Sequence, residues 1–396
     1  MGELVNLKKE GRIAIIEINS PPVNALSQQV RQGIMAQLQI AIDDEDVEAI
    51  VLICAGRTFI AGADIREIGL PPKTPLLPDV VAALEASTKL TVAAIHGTAL
   101  GGGFEIALGC HARVARVDAN VGLPEVKLGL LPGAGGTQRL PRLIGVQAAL
   151  PMIMSGDPIG AEKAADLGAI DHVVQDDLLS GAISFAEKLL DEGAPLRRLS
   201  ESGIDTESIP KAYYEEFRAA NARKMRGYFA PERIISAIQA STELAFDKGM
   251  KRERELFTEC MQSPQSAALR HVFFAERQAA RVSGLAKDTP LRDIKSVAMI
   301  GAGTMGGGIA MNFASRGIPV YMVDVDVVAI ERGLDVVRAN YMRGVEKGRM
   351  SLAQLETLMQ LFIPVINYKD LADVDLVIEA VFENMAVKKE IFGRLD

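Results

Sequence analysis

A glycine loop late in the chain permits few local topologies. Ser296-Val297-Ala298-Met299-Ile300 is an apolar run of strand type that passes straight into Gly301-Ala302-Gly303-Thr304-Met305-Gly306. An apolar helical pattern follows over 307–315, and a second strand pattern, Val320-Tyr321-Met322-Val323, ends on Asp324. The spacing predicts a βαβ unit with the loop at the helix start. Gly301 allows the turn, Gly303 lets a pyrophosphate approach the backbone, and Gly306 lets helix and strand pack closely. Met305 lies in the same loop. Asp324 is placed to accept hydrogen bonds from an adenosine ribose, which favours NAD over NADP. GxGxxG alone is a weak signal; between strand and helix, with an acid closing the next strand, it is a strong one.

Two glutamates twenty positions apart, each beside a glycine-rich turn, form a second constraint. Glu105 closes His96-Gly97-Thr98-Ala99-Leu100-Gly101-Gly102-Gly103-Phe104-Glu105. Glu125 closes Gly122-Leu123-Pro124-Glu125, and Gly133-Ala134-Gly135-Gly136-Thr137-Gln138-Arg139 follows soon after. A tight glycine turn entering a helix exposes backbone N–H groups. A carboxylate beside such donors is a candidate general acid or base. The pair therefore suggests one oxyanion-binding pocket with two proton-handling groups. Glu105 sits in the apolar stretch 104–108, where desolvation is expected to raise its pKa. Local sequence equally admits ordinary first-turn helix acids at both positions. His96 is expected to be a packed neutral histidine, and Asp64 to brace its own turn through local backbone hydrogen bonds.

Composition narrows the classes. With 396 residues, 48% of them hydrophobic, two or more domains with substantial cores are expected. A net charge of −8 argues against a nucleic-acid surface. Cys54, Cys110 and Cys260 show no CxxC spacing and leave an odd count, which fits a reducing compartment. His96, His111, His172 and His271 make no metal-ligand pattern, so no metal is expected. The first ten residues lack the apolar core of a secretory signal, and no apolar run reaches membrane-spanning length.

The pattern along the chain is α/β to about residue 190, with strand patterns at 13–18, 49–53 and 92–95 and a helical one at 30–43. Residues 191–290 are expected to be a helical connector, with helical patterns at 212–226, 231–248 and 266–282. Gly284, Asp288 and Pro290 mark its end within 283–290. The nucleotide-binding region then occupies 294–396.

Residues 1–190 resemble the crotonase (enoyl-CoA hydratase) family. The resemblance is carried by Pro22-Val23-Asn24-Ala25-Leu26, Ala61-Gly62-Ala63-Asp64-Ile65, Ala99-Leu100-Gly101-Gly102-Gly103-Phe104-Glu105, Leu123-Pro124-Glu125 and Pro132-Gly133-Ala134-Gly135-Gly136-Thr137-Gln138-Arg139-Leu140-Pro141. Residues 294–396 resemble the NAD-binding domain of 3-hydroxyacyl-CoA dehydrogenase. Both, in this order, resemble the multifunctional enzymes of fatty-acid β-oxidation. The resemblance implies a crotonase-type spiral fold, a helical connector and an incomplete Rossmann-type NAD-binding domain.

It also implies roles. On the matching positions the N–H groups of Ala63 and Gly102 cradle the thioester oxygen of an acyl-CoA substrate. Glu125 delivers a proton to C2 while Glu105 orients and activates water for C3. Asp64 and Arg66 belong to the substrate side, Arg66 standing near the coenzyme A phosphates unless it is a solvated surface arginine. NAD is the implied cofactor, with Glu383 and Lys388 as further contacts unless they are charges at a helix start. A thiolase partner in the parent complex is implied as well. A bacterial cytoplasmic setting is expected, a peroxisomal one being the alternative.

The last region departs from the family. Family dehydrogenases take the hydroxyl proton with a histidine paired to a glutamate, yet no histidine follows His271 and the chain stops at Asp396 within a helical pattern. The expectation is a C-terminally truncated chain with hydratase capacity, from a parent that also oxidises 3-hydroxyacyl-CoA with NAD. The alternatives are Δ3–Δ2-enoyl-CoA isomerisation in the same pocket, or a non-catalytic acyl-CoA/NAD-binding module.

Overall fold

The computed structural model describes residues 4–67, 69–279, 282–286 and 288–396. The start of the segment inspected for a secretory signal (1–3), the end of the 266–282 helical pattern (Ala280, Arg281) and Lys287 in the 283–290 boundary lie outside the described residues. The chain divides into two compact units, Met1–Arg281 and Val282–Asp396.

The first unit begins with an antiparallel hairpin, β1 (Val5–Glu10) and β2 (Ile13–Ile18), in which Val5 faces Ile18. Helix α1 (Gln28–Asp43) follows, and its buried stripe Val30, Ile34, Leu38 and Ala41 has helical spacing. It starts before the predicted residue 30 because the Ser27 side chain accepts the Val30 N–H and caps it. Next come β3 (Ala49–Cys54), α2 (Leu77–Ala86) and β4 (Leu90–Ile95). Then follow β5 (Thr98–Leu100), α3 (Gly102–Gly109), β6 (Ala112–Arg116) and β7 (Asn120–Gly122). After α4 (Gly136–Ile144) and α5 (Val146–Ser155) come β8 (Ile159–Gly160), α6 (Ala161–Asp166), β9 (His172–Val174) and α7 (Leu178–Asp191).

Six strands form the main sheet in the order β1-β2-β3-β4-β6-β9, parallel from β2 onward. Both faces are covered, which is why the central strands read as continuous apolar runs. Ile16, Ile18, Ile50, Leu52, Ala93 and Ile95 face one core, while alternate residues Ile13, Ala49, Val51, Val92 and Ala94 pack with Ala182 and Ala186 of α7. A smaller sheet, β5-β7-β8, sets the site. In it β5 and β7 run parallel, Leu100 opposite Gly122, and the Gly101 N–H donates to the Gly122 carbonyl at 2.8 Å. One strand leads directly into the helix of Glu105 and the other into the turn of Glu125, so adjacent strands deliver both acids to one place.

Among the described residues, four helices complete this unit: α8 (Tyr213–Met225), α9 (Ala230–Glu243), α10 (Phe246–Gln262) and α11 (Pro264–Ala279). The pattern at 231–248 predicted one helix; the structure breaks it. Leu244 and Ala245 take extended backbone and α10 starts afresh at Phe246. The break lets Ile234, Ile235 and Ile238 of α9 and Leu256 and Cys260 of α10 all enter the same core as the sheet.

The second unit holds β10 (Val297–Ile300), α12 (Thr304–Ala314), β11 (Val320–Val323), α13 (Val327–Glu346), α14 (Leu352–Met359), β12 (Phe362–Val365), β13 (Leu376–Glu379) and α15 (Met385–Leu395). Its strands run all parallel in the order β12-β11-β10-β13. Met299, Val320 and Met322 point to one core and Ala298, Ile300 and Val323 to the other, as two covered faces require.

Candidate active site

The two amides implied by the sequence adjoin. Leu26 and Ala63 form a parallel bridge, with the Leu26 N–H bound to the Gly62 carbonyl at 3.0 Å. The neighbouring bridge, Ile60 with Ala99, lays this segment along β5. Gly102 opens α3 just beyond β5. A Cβ on Gly102 would lie 3.2 Å from the Ala63 nitrogen and 2.6 Å from Leu77 Cδ2. Among the described residues, neither the Ala63 nor the Gly102 N–H has a protein acceptor. The first turn of α3 adds the positive end of its dipole to the same spot. Gly102→Ala is expected to crowd this cradle and lower turnover about tenfold, with an unchanged melting temperature as the check on folding.

Both glutamates reach the cradle. Glu105, buried in the first turn of α3, accepts the Ala134 N–H at 2.7 Å and the Gly136 N–H at 2.8 Å, both on Oε1. That leaves Oε2 without a protein donor among the described residues. Burial raises its pKa, against the pull of those two amides and of Arg139. Glu125 opens the turn Glu125–Leu128. Its Oε1 lies 2.8 Å from where a Cβ on Gly101 would stand, and Gly101 takes a left-handed φ of 53°. Its Oε2 is buried with no hydrogen-bond partner among the described residues. Burial first, then the Glu105 charge, hold the Glu125 carboxyl well above the ordinary value. Ala63, Gly102, Glu105 and Glu125 thus gather around the start of α3.

The remaining predicted residues of this unit sit at the edge. Asp64 Oδ1 accepts the Arg66 N–H at 3.0 Å and Nε at 2.9 Å, so the local bracing is present. The Arg66 side chain is 80% exposed, and its guanidinium is paired with both Asp64 oxygens at the solvent boundary. Arg31, buried beneath this segment, donates to the Leu26, Lys73 and Pro75 carbonyls and to Glu67 Oε2, which ties the approach together. His96 is packed, with Nε2 3.1 Å from the Gly56 carbonyl, and burial lowers its pKa toward the neutral form.

One residue went unread in the sequence. Glu253 of α10 is 1% exposed and accepts the Gly135 N–H at 2.7 Å and the Thr137 N–H at 3.0 Å. Within Lys251-Arg252-Glu253-Arg254-Glu255 it resembles one more solvated charge. The available signal was its spacing with Gly249, Leu256 and Cys260, which places it on the buried stripe.

The second unit brings its predicted residues to the carboxyl ends of the parallel strands. Gly301 has φ 104°, and a Cβ there would meet the Ala380 carbonyl at 2.7 Å, so the loop abuts the end of β13. Asp324, closing β11, accepts the Ala302 N–H at 2.7 Å. Gly303 faces open space, and Met305 is exposed. Lys388 Nζ is 2.9 Å from Glu383 and 3.3 Å from Glu379 at the same edge. An open glycine at a helix N-terminus with an acid one strand away fits a dinucleotide. A Cβ on Gly306 would fall 1.8 Å from the Gly301 carbonyl oxygen. Gly306→Ala is therefore expected to weaken NAD binding about tenfold in a calorimetric titration.

Comparisons with known proteins show the family of each unit. Residues 8–243 match the family described as enoyl-CoA hydratase/isomerase, and residues 296–396 that described as 3-hydroxyacyl-CoA dehydrogenase, NAD binding domain. The peroxisomal bifunctional enzyme of Danio rerio is 42% identical over 390 residues, covering 97% of this chain and 53% of that protein. The peroxisomal bifunctional enzyme of Homo sapiens is 41% identical over 388 residues, covering 97% of this chain and 53% of that protein. The peroxisomal fatty acid beta-oxidation multifunctional protein of Oryza sativa is 34% identical over 397 residues, with 97% and 54% covered. The chain spans about half the length of the curated relatives it matches. Among solved structures, carnitinyl-CoA hydratase from Mycobacterium avium gives a TM-score of 0.53 at 26% identity, over 70% of this chain and 97% of that one. No helix among the described residues is long and apolar enough to cross a membrane.

Proposed function

Because this chain belongs to the enoyl-CoA hydratase/isomerase family and carries the NAD-binding domain of 3-hydroxyacyl-CoA dehydrogenase behind it, we propose that its first unit hydrates trans-2-enoyl-CoA to 3-hydroxyacyl-CoA. The supporting observation is a buried, unpartnered Glu125 Oε2 near the start of α3, where the Gly102 amide adjoins that of Ala63. Addition of water to a conjugated thioester builds negative charge on the thioester oxygen. Two preorganised N–H donors at that oxygen stabilise it, each worth about 3–4 kcal/mol of barrier. Glu105 Oε2 takes a proton from water as the water oxygen bonds to C3, while Glu125 gives its proton to C2. One carboxyl gains a proton and the other loses one, and exchange with solvent resets both. Asp64 and Arg66 lie toward the substrate, with Arg66 reaching for a coenzyme A phosphate.

NAD would be held by Gly301, Gly303, Met305, Gly306 and Asp324, with Glu383 and Lys388 at the rim. When bound it supplies a hydride acceptor for the 3-hydroxyacyl product, an oxidation proposed for the parent protein. The setting proposed is the bacterial cytoplasm with a thiolase partner; the relatives named above carry "peroxisomal" in their names, and fractionation of the source cell decides between the two.

The direct test is loss of the conjugated thioester absorbance of crotonyl-CoA with this chain. Saturable hydration supports the assignment; saturable binding without turnover leaves an acyl-CoA-binding module. Δ3–Δ2 isomerisation is a second function for the same pocket, favoured because Glu125 alone could move a proton between C2 and C4. Isomerisation of 3-hexenoyl-CoA that survives Glu105→Gln would support it, and its loss would show that both acids are needed.

A further inference from the structure

A third carboxylate reaches the catalytic loop from a helix that contributes nothing to the chemistry assigned above. Four successive amides, 134 to 137, alternate between two buried acceptors. Ala134 and Gly136 donate to Glu105 Oε1 at 2.7 and 2.8 Å, while Gly135 and Thr137 donate to Glu253 Oε1 and Oε2 at 2.7 and 3.0 Å. The Thr137 hydroxyl lies 2.5 Å from Glu253 Oε2. Gly135 takes a φ of 101°, backbone that disfavours any side chain, and it is the residue between the two amides that Glu105 uses. The loop is therefore clamped between α3 and α10 by one acid on each. An apolar residue at 253 could fill the same volume without burying a carboxyl, but it would leave the Gly135 and Thr137 N–H groups unpaired.

We infer that Glu253 is a positioning residue for hydration. By fixing Gly135 and Thr137 from α10, it holds the Ala134 and Gly136 amides where they anchor Glu105 Oε1 and aim Oε2 at the water. This rests on the hydratase function proposed above. It makes α10 part of the catalytic apparatus and not only a cover for the core.

The experiment uses the full chain and crotonyl-CoA. Hydration by the unaltered chain comes first; its absence removes the proposed function, whereas every later outcome bears on Glu253 alone. Glu253→Gln keeps the volume but turns one acceptor into a donor facing the Thr137 N–H. It is expected to lower kcat about tenfold or more, with KM changed less than about threefold. In a Glu105→Gln background the same substitution is expected to cost less than about twofold, because the side chain it positions is already disabled. Unchanged kcat, or the same loss in both backgrounds, overturns the inference. Should Glu253→Gln fail to give a cooperative melt, Thr137→Val removes the hydroxyl that donates to Glu253 Oε2 and accepts from Gln138 Nε2, and carries the same cycle. A fall of about threefold that vanishes with Glu105→Gln supports positioning, and a fall indifferent to residue 105 refutes it.

Discussion

Glu125→Gln is expected to reduce kcat for crotonyl-CoA hydration by about 10²- to 10⁴-fold while leaving KM within a few-fold, the span usual for loss of a positioned proton donor. The amide keeps the shape, so substrate still settles between Ala63 and Gly102, but no transferable proton reaches C2. Glu105→Gln is expected to match it, and the double variant to add little, since the two acids serve one event. The pH dependence of turnover has two limbs. Burial raises the Glu105 carboxyl, so the rate falls as acid protonates this base; burial, then the Glu105 charge, raise the Glu125 carboxyl well above its ordinary value, so the rate also falls as pH rises through that elevated pKa. Stability follows the alkaline limb. Glu253, raised to about 8 by burial and then by Glu105, contributes fully below its unfolded value of 4.5, and that contribution is lost as pH rises toward 8. Urea midpoints measured at pH 5 and pH 9 test this; a midpoint higher at pH 9 would contradict it.

Glu85→Ala is expected to destabilise the first unit by about 3–5 kcal/mol, read as a lower urea midpoint. Glu85 Oε2 accepts Arg139 Nη2 at 2.7 Å and Nε at 3.3 Å, and its Oε1 accepts the Ser200 N–H at 2.9 Å. Both side chains are nearly inaccessible, Glu85 5% and Arg139 2% exposed. Removing the acid strands a guanidinium away from water, which costs far more than the pair itself contributes. Arg139 also donates to the Ala134 carbonyl at 3.3 Å, in the loop that anchors Glu105. Turnover should therefore fall along with stability. Replacing both partners, as Glu85→Leu with Arg139→Met, is expected to recover most of the lost stability, because neither charge is then buried alone. Loss as large as in Glu85→Ala would show that Ser200 or Ala134 needs the pair.

What could be read in the sequence was local. Gly101-Gly102-Gly103 and the βαβ loop at Gly301 announce themselves because a tight turn into a helix demands glycine at fixed positions, and the acids beside them are close in sequence. Strands such as β3 were legible as unbroken apolar runs because both faces are covered. The break at Leu244 and Ala245 was not legible, since neither residue is a breaker and only the shared core turns the chain there. Nor was the separation of Thr98–Leu100 into its own small sheet, which depends on pairing with residues 120–122. Glu253 was hidden for a third reason: its burial is decided by a loop more than a hundred residues away in sequence.

The alternation of amides at 134–137 makes loop length a chemical parameter. Deleting one residue ahead of Ala134 would slide the odd and even donors past each other, handing Glu253's partners to Glu105 and the reverse. Substitutions that respect this parity leave both anchors served, whereas a single insertion or deletion swaps them throughout the segment. Related chains that retain the two anchors should therefore keep the count here, and keep glycine at 135 and 136, where a Cβ would meet Arg139 and Glu105.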